Sequence, residues 1–156
     1  MNIGVISDTH GLLRPEALEA LRGSDLILHA GDIGSTQVLE GLEALSPVTA
    51  IRGNNDEAAW ARRIPTTIRV DAERISIYML HNLKELPLDP AQEKIDVVIA
   101  GHSHRPSMER RAGVLYLNPG SAGPRRFKLP ICIAKLDVRG SQVRATIIEL
   151  EDGTSR

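Results

Sequence analysis

The sequence has little cysteine, few aromatic residues and almost no net charge. Cys132 is its one cysteine, so no internal disulfide can form, which favours a reducing, cytoplasmic location. The formal net charge of -1 favours neither a nucleic-acid partner nor a membrane surface. No apolar run approaches the roughly 20 residues that span a bilayer. The first apolar run starts at Ile3, so no signal peptide is expected before it.

Length and composition are those of an ordinary globular protein. The chain has 156 residues, of which 42% are hydrophobic and 25% charged. A chain of this length buries a sizeable core without a second domain. We therefore expect a single domain over residues 1–156.

The first half of the chain alternates strand and helix patterns. Short, continuous apolar runs over 3–6, 26–28, 48–51 and, later, 97–100 are typical of strands buried on both faces. Helical spacing over 15–21 and 36–45 separates the early runs, as in βαβ units.

The second half is predominantly strand. The pattern predicts strands over 67–70 and 75–80 joined by a polar turn, then a short helix near 90–94. Further strands are expected over 108–110, 114–117, 131–136 and 143–150. Two stacked sheets flanked by helices would accommodate this order.

Four short polar segments follow apolar runs and carry most of the chemistry. In open α/β sheets, residues beyond the carboxyl ends of the strands converge, so these segments are expected to meet. The segments are Asp8-Thr9-His10, Gly31-Asp32, Gly53-Asn54-Asn55-Asp56 and Gly101-His102-Ser103-His104.

The residue types in these segments indicate a site for two metal ions. Asp8 and His10 are two residues apart, so on an extended strand end both side chains would face one ion, and His102 and His104 repeat this spacing. His81 follows the run over 75–80 and adds a ligand. Only His29 is left over, and it is expected to be a core residue or to support the ligands from behind. Mixed imidazole and carboxylate ligands suit Mn, Fe, Zn, Ni or Co better than Ca.

Such a site favours an anionic substrate. Two divalent ions with Asp8 and Asp32 as the anionic ligands leave about +2 of formal charge. Paired ions activate a bridging water and stabilise the entering and leaving oxygens of a displacement at phosphorus. Asp32 has two carboxylate oxygens and could bridge the ions.

With these motifs in order, the chain resembles the calcineurin-like metallophosphoesterases, in particular their small single-domain, YfcE-like branch. The order is D-x-H, G-D, G-N-x-D, H and G-H-x-H, and residues 118–121 (N-P-G-S), followed by Pro124 and Arg125, are similar to that branch. The resemblance implies an α/β fold, a four-layer α/β/β/α sandwich of two mixed β-sheets flanked by helices.

The resemblance also implies a ligand set and a catalytic set. One ion would be held by Asp8, His10, Asp32 and His104, and the other by Asp32, Asn54, His81 and His102. Mn²⁺ is the metal expected, with Ni²⁺, Fe²⁺, Zn²⁺, Co²⁺ and Mg²⁺ as alternatives. Catalysis is assigned to Asn54, Asn55, Asp56 and His102, and substrate phosphate binding to Asn55 and Arg125.

Two positions depart from the family pattern. Asn55 stands where many relatives have a histidine that contacts the phosphate or protonates the leaving group, and asparagine is no general acid near neutral pH. Asn82 follows His81, where glycine is common. The departure at position 55 favours a phosphodiesterase.

The predicted function is that of a metal-dependent phosphodiesterase in which a bridging hydroxide attacks phosphorus. Its partner would be a small-molecule or nucleotide phosphate ester, and an assembly of identical chains is left open. Two alternatives remain. One is a non-catalytic, metal-binding scaffold for protein contacts, since a retromer subunit of similar fold works that way, and the other is a phosphomonoesterase.

Overall fold

Two five-stranded sheets form the centre of the structure. The computed structural model describes residues 1–151. The first sheet contains β1 (Asn2–Ile6), β2 (Leu26–His29), β3 (Val48–Ala50), β9 (Cys132–Arg139) and β10 (Gln142–Glu149). The second contains β4 (Thr67–Ala72), β5 (Ile75–Leu80), β6 (Val97–Ile99), β7 (Ser107–Arg111) and β8 (Val114–Asn118).

Both sheets are mixed. The first has the order β10-β9-β1-β2-β3, with β1, β2 and β3 parallel and β9 antiparallel to both of its neighbours. The second has the order β4-β5-β6-β8-β7, with three parallel strands in the middle and an antiparallel strand at each edge. The carboxyl ends of β1, β2 and β3 therefore lie along one edge of the first sheet.

The main core lies between the sheets. Ile3, Val5 and Leu28 of the first sheet belong to one buried cluster with Ile77 and Met79 of the second. Every residue of β5 is buried, because its opposite face is covered as well. This explains why the strand is apolar at every position except Ser76 instead of alternating between apolar and polar residues.

Two α-helices cover the outer face of the first sheet. α1 (Pro15–Leu21) has proline in its first turn, where the missing N–H costs nothing. α2 (Thr36–Glu43) packs through Val38 and Leu42 into a second buried cluster. It ends two residues earlier than the sequence predicts, at the Ala44 cap.

The outer face of the second sheet has a thinner cover. Leu83, Leu86 and Leu88 pack there on a cluster that includes Tyr78 and Val98, and the only helix in this segment is the 3-10 helix Leu83–Glu85. The predicted helix near 90–94 is wrong: these residues form a turn, closed by the Ile95 N–H donating to the Pro90 carbonyl, and Lys94 has a φ of 57°. A left-handed residue cannot continue a helix. A second 3-10 helix, Ala59–Arg63, was not predicted.

The predicted α/β sandwich of two mixed β-sheets is confirmed. Among residues 1–151, no helix is long and apolar enough to cross a membrane. Cys132 is buried, as expected of a small core residue. The single domain over 1–156 stays a prediction, and its last five residues lie outside the described part of the chain.

Candidate metal centre

Left-handed backbone brings the predicted ligands together. Asp8, His10, Asp32, His102 and His104 have φ values of 56°, 47°, 55°, 72° and 62°. Such values are uncommon outside glycine, and they concentrate at functional sites. The predicted mechanism of convergence, alternation along an extended strand end, is therefore wrong, since β1 already ends at Ile6. The turns that follow the strands aim the side chains instead.

Asp8, His10 and His104 form the first of two groups that could hold a cation. One potential ligand atom from each lies within 4.8 Å of the others. Asp8 Oδ1 is 3.4 Å from His104 Nε2 and 3.9 Å from His10 Nε2. Asp8 and His104 are buried, whereas His10 is partly open to solvent.

Asp32, His81 and His102 form the second group, again with one potential ligand atom each within 4.8 Å of the others. Asp32 Oδ2 is 3.2 Å from His81 Nε2, and the His81 and His102 rings meet edge to face with centroids 5.2 Å apart. His102 is exposed, so this group has a side open to solvent.

The two groups adjoin each other. Asp32 Oδ2 lies 3.8 Å from His10 Nε2 of the first group, and Asp8 Oδ1 lies 3.7 Å from His81 Nε2 of the second. Each carboxylate thus presents one oxygen to histidines of both groups. This arrangement offers two cations adjacent sites with shared negative charge.

Unsatisfied buried atoms show that these residues fit a divalent cation. Asp8 Oδ1 and His81 Nε2 are buried and make no hydrogen bond within the described residues. Such groups are rare and costly in folded proteins unless something else satisfies them. His81 Nδ1 donates to the Ala30 carbonyl over 2.7 Å, so the neutral ring has its lone pair at Nε2. A hydrogen bond of this kind typically orients a metal-binding imidazole.

Neighbouring imidazoles and hydrogen-bond donors keep both carboxylates ionised. Burial alone would raise the pKa of Asp32, but the His81 imidazole and the Asn55 backbone N–H outweigh burial and lower this pKa to about 2. Burial also opposes ionisation of Asp8, yet contacts with His104, His81 and the Ser7 hydroxyl lower its pKa. Both side chains are thus anionic at neutral pH.

The pKa values of His10 and His81 are shifted in opposite directions. Burial lowers the pKa of His10, although Asp32 and Asp8 act in the opposite direction. Burial would also lower the pKa of His81, but the same two carboxylates outweigh it and the pKa is raised. Near neutral pH, a proton therefore competes for His81 more strongly than for His10.

Two glycines allow the carboxylates to sit where they do. A Cβ at Gly53 would overlap the Asp32 carboxylate, and a Cβ at Gly101 would overlap the Ser7 hydroxyl and approach Asp8 Oδ2. The glycines of the G-N and G-H motifs are therefore required by close packing against the candidate ligands.

The three polar residues after β3, at positions 54–56, have different surroundings. Asn54 is exposed and lines a cavity of about 510 Å³ together with His81 and His102. Asn55 contacts Asp32 twice: its backbone N–H donates to Oδ1 over 3.0 Å and its side-chain amide donates to Oδ2 over 3.1 Å. Neither contact between Asn55 and Asp32 was predicted from the sequence.

Asp56 binds backbone instead of facing the histidines. Its carboxylate is buried and accepts the N–H groups of Ile33, Gly34 and Gly53 at 2.9–3.1 Å. These bonds fasten the turn that carries Asp32 to the turn that carries Asn54 and Asn55. The side chain can thus shape the centre without touching a substrate.

The N-P-G-S motif supports two of the loops. Asn118 Nδ2 donates to the Gly101 carbonyl over 3.0 Å and to the Ser103 hydroxyl over 3.1 Å. The Ser121 hydroxyl donates to the Asp8 carbonyl over 3.0 Å. The motif therefore links the G-H-x-H loop to the loop that carries Asp8.

His29, the histidine left over from the ligand set, joins the first two motifs from inside the core. The Gly31 N–H donates to its Nδ1 over 3.0 Å, so a neutral ring carries its proton on Nε2, which is 3.0 Å from the Thr9 hydroxyl. That hydroxyl donates in turn to the Ile33 carbonyl. The ring is fully buried, and burial lowers the pKa of His29 to about 4.

This pKa predicts a loss of stability in mild acid. Because the folded pKa lies below the ordinary 6.5, His29 contributes stability that is present above pH 6.5 and is lost as pH falls towards about 4, by roughly 3 kcal/mol at most. Chemical denaturation at pH 7, 6, 5 and 4 measures it. In His29→Asn the amide oxygen can still accept the Gly31 N–H, and the slope over this range should be shallower than in the wild type. Parallel curves would contradict the prediction.

Two neighbouring arginines lie in the loop after the N-P-G-S motif. Arg125, predicted to bind substrate, is exposed there. Arg126, also exposed, is close enough for its charge to help lower the pKa of His10. The structure thus places Arg126 within electrostatic reach of the first ligand group.

Comparisons with known proteins agree with this geometry. The family model of the calcineurin-like phosphoesterase superfamily domain matches residues 1–141. A probable metallophosphoesterase from Methanothermobacter thermautotrophicus is 34% identical over 160 residues, covering 95% of this chain and 92% of that protein.

Two solved structures are also similar. An archaeal phosphodiesterase superposes with a TM-score of 0.77 at 28% identity, covering 95% of this chain and 100% of that one. The Escherichia coli phosphoesterase YfcE superposes with a TM-score of 0.70 at 25% identity, covering 88% of each chain.

Proposed function

Because the chain belongs to the calcineurin-like phosphoesterase superfamily, we propose that it is a phosphodiesterase with a dinuclear metal centre. The observation that carries the proposal is the pair of adjoining histidine and carboxylate groups, with buried ligand atoms that lack hydrogen bonds. Relatives named phosphodiesterases support the reaction class.

We assign the first ion to Asp8, His10 and His104, and the second to His81, His102 and Asn54. Asp32 would bridge them, because its Oδ2 faces both His10 and His81. With divalent ions bound, this site would supply an activated water as the nucleophile and positive charge for the phosphoryl oxygens. Mn²⁺ remains our expected metal.

The polar residues around the ligands orient the substrate and the ligands. Asn54 and His102 line an open cavity, where a phosphate ester can approach. One of the two N–H donors of the Asn55 amide binds Asp32, which makes Asn55 a positioning residue, and the second donor can still reach a phosphate oxygen. We likewise assign Asp56 a positioning role instead of a catalytic one, because its oxygens are engaged by backbone donors.

The remaining expectations concern the substrate, the location and the assembly of the protein. A small-molecule or nucleotide ester is the proposed substrate, and Arg125 and Arg126 are the proposed cations for its phosphate. Location in the cytoplasm and an assembly of identical chains stay predictions from the sequence.

A paired assay tests the proposal. The protein is freed of metal, loaded with Mn²⁺, Ni²⁺, Zn²⁺, Co²⁺, Fe²⁺ or Mg²⁺, and assayed on bis(p-nitrophenyl) phosphate and p-nitrophenyl phosphate. We expect metal-dependent hydrolysis that favours the diester. Preference for the monoester would indicate a phosphomonoesterase, and two bound ions without hydrolysis of either ester would indicate a scaffold.

Metal affinity should fall with decreasing pH. A histidine must lose its proton to bind a cation, and the raised pKa of His81 starts this competition above the ordinary 6.5. Each displaced proton weakens binding by about tenfold per pH unit below its pKa. Isothermal titration with Mn²⁺ between pH 8 and 5.5 measures the slope. His81→Gln should bind more weakly but with a shallower slope, and equal slopes would contradict the role of His81.

A further inference from the structure

Residues 124–129, which we call the phenylalanine loop, extend from a segment anchored at the metal centre. Gly123, just before the loop, lies so close to the Asp8 and Thr9 carbonyls that a Cβ there would overlap them. The Arg14 guanidinium donates to the Gly123 carbonyl over 3.3 Å. The base of the loop is thus fixed to the turn that carries Asp8 and His10.

Phe127 has two unfavourable features in this loop. It is the only phenylalanine of the chain and is 93% exposed, whereas no other large apolar residue among 1–151 exceeds 49%. Its φ is 52°, in a turn closed by the Leu129 N–H donating to the Arg126 carbonyl. Glycine, asparagine and aspartate are favoured there, and a bulky residue with positive φ is an outlier. Strained backbone of this kind supports a hypothesis of function.

The loop also places positive charge beside the aromatic ring. Arg126 and Lys128 flank Phe127 directly, and all three side chains are exposed. Arg126 and Phe127 follow Gly123 by three and four residues, so each Cα lies within about 14 Å of that anchored glycine. An exposed aromatic ring and two cations are therefore carried by a loop whose base contacts the Asp8 and Thr9 carbonyls.

We propose that the phenylalanine loop is a subsite for an aromatic group esterified to the phosphate, and that the substrates are nucleoside phosphodiesters. Phe127 stacks on the base, and Arg126 faces the phosphate. Stacking suits an exposed ring because every base offers a π face. This inference rests on the proposed phosphodiesterase function and adds the substrate class.

Two esters with the same leaving group test the subsite. Thymidine 5′-(p-nitrophenyl phosphate) and methyl p-nitrophenyl phosphate both release p-nitrophenolate, and only the first carries a base. We expect Phe127→Ala to lower kcat/KM for the thymidine ester by about tenfold, mainly through KM, and to leave the methyl ester within about twofold. Phe127→Trp should restore the preference. Met108→Ala, at an exposed residue of β7, is the matched control and should change neither ester.

Equal effects on the two esters, or no effect on either, would overturn the subsite while leaving the phosphodiesterase proposal intact. If the metal-loaded protein hydrolyses neither ester, the proposed function fails. Calorimetry with thymidine 5′-monophosphate then still tests the subsite. Weaker binding by Phe127→Ala than by the wild type would support the subsite, and equal binding would overturn it. The last measurement is binding of the protein to phosphatidylserine vesicles. Vesicle binding that depends on Phe127, with no discrimination between the esters, would assign the loop to a membrane and overturn the proposal.

Discussion

Asp32→Asn is expected to abolish nearly all phosphodiester hydrolysis and to lower occupancy of the second ion. The substitution removes the charge proposed to hold two cations together, and its amide nitrogen is not a metal ligand. Loss of a residue that merely orients a ligand typically costs about 10–100-fold in activity or metal affinity, so kcat/KM should fall by more than about 100-fold. Elemental analysis and assays on bis(p-nitrophenyl) phosphate measure both effects.

The matched control for this substitution is Asp71→Asn, on the edge strand β4, where the side chain is exposed. It removes the same formal charge away from the candidate ligands and should leave activity and metal content unchanged. Turnover of Asp32→Asn near that of the wild type, with both ions retained, would show that Asp32 is not the bridge.

Asn55→His is expected to change leaving-group preference. An imidazole at this position titrates near neutral pH, and general acid catalysis typically contributes about 10²–10⁴-fold when the geometry allows. The substitution also breaks the amide contact with Asp32, which should slow hydrolysis of aryl diesters by about tenfold. We therefore expect the ratio of kcat/KM for alkyl esters to that for aryl esters to rise by about 100-fold.

Asn55→Ala separates the two effects of this substitution. It loses the contact with Asp32 and gains no acid, so it should slow alkyl and aryl esters alike. Metal content must be equal in the wild type and both variants. A uniform change across leaving groups in Asn55→His would mean that position 55 does not deliver a proton.

The sequence predicted the convergence of the motifs because parallel strands place their carboxyl ends on one edge. Asp8, Asp32 and Asn54 all follow neighbouring strands of the first sheet, so adjacency of the strands implies adjacency of the residues. Apolar runs of three to six residues were sufficient to find most of the strands. His29 was predicted to be a core or supporting residue because it was the one histidine left over from the ligand set.

Features that depend on backbone direction after the strands could not be predicted. Nothing in the letters Asp-Thr-His indicates that Asp8 and His10 adopt positive φ, since either residue also fits an extended chain. The contact between Asn55 and Asp32 depends on two turns folding against each other. Residues 90–94 were predicted to be helical because their composition suits a helix. They form only a turn, which ends at the left-handed residue Lys94.

The left-handed turns make the metal centre the part of the fold that gains most from its cations. Each unfavourable conformation costs on the order of 1 kcal/mol, whereas the strands beneath are stabilised by the sheet core. Without cations, the turns at 7–11 and 101–104 should therefore open locally, well below the free energy of global unfolding, and exchange amide hydrogens first. A cation at 100 times its dissociation constant would oppose opening by about 2.7 kcal/mol. Metal scarcity would thus expose these turns to proteases while the sheets stay folded.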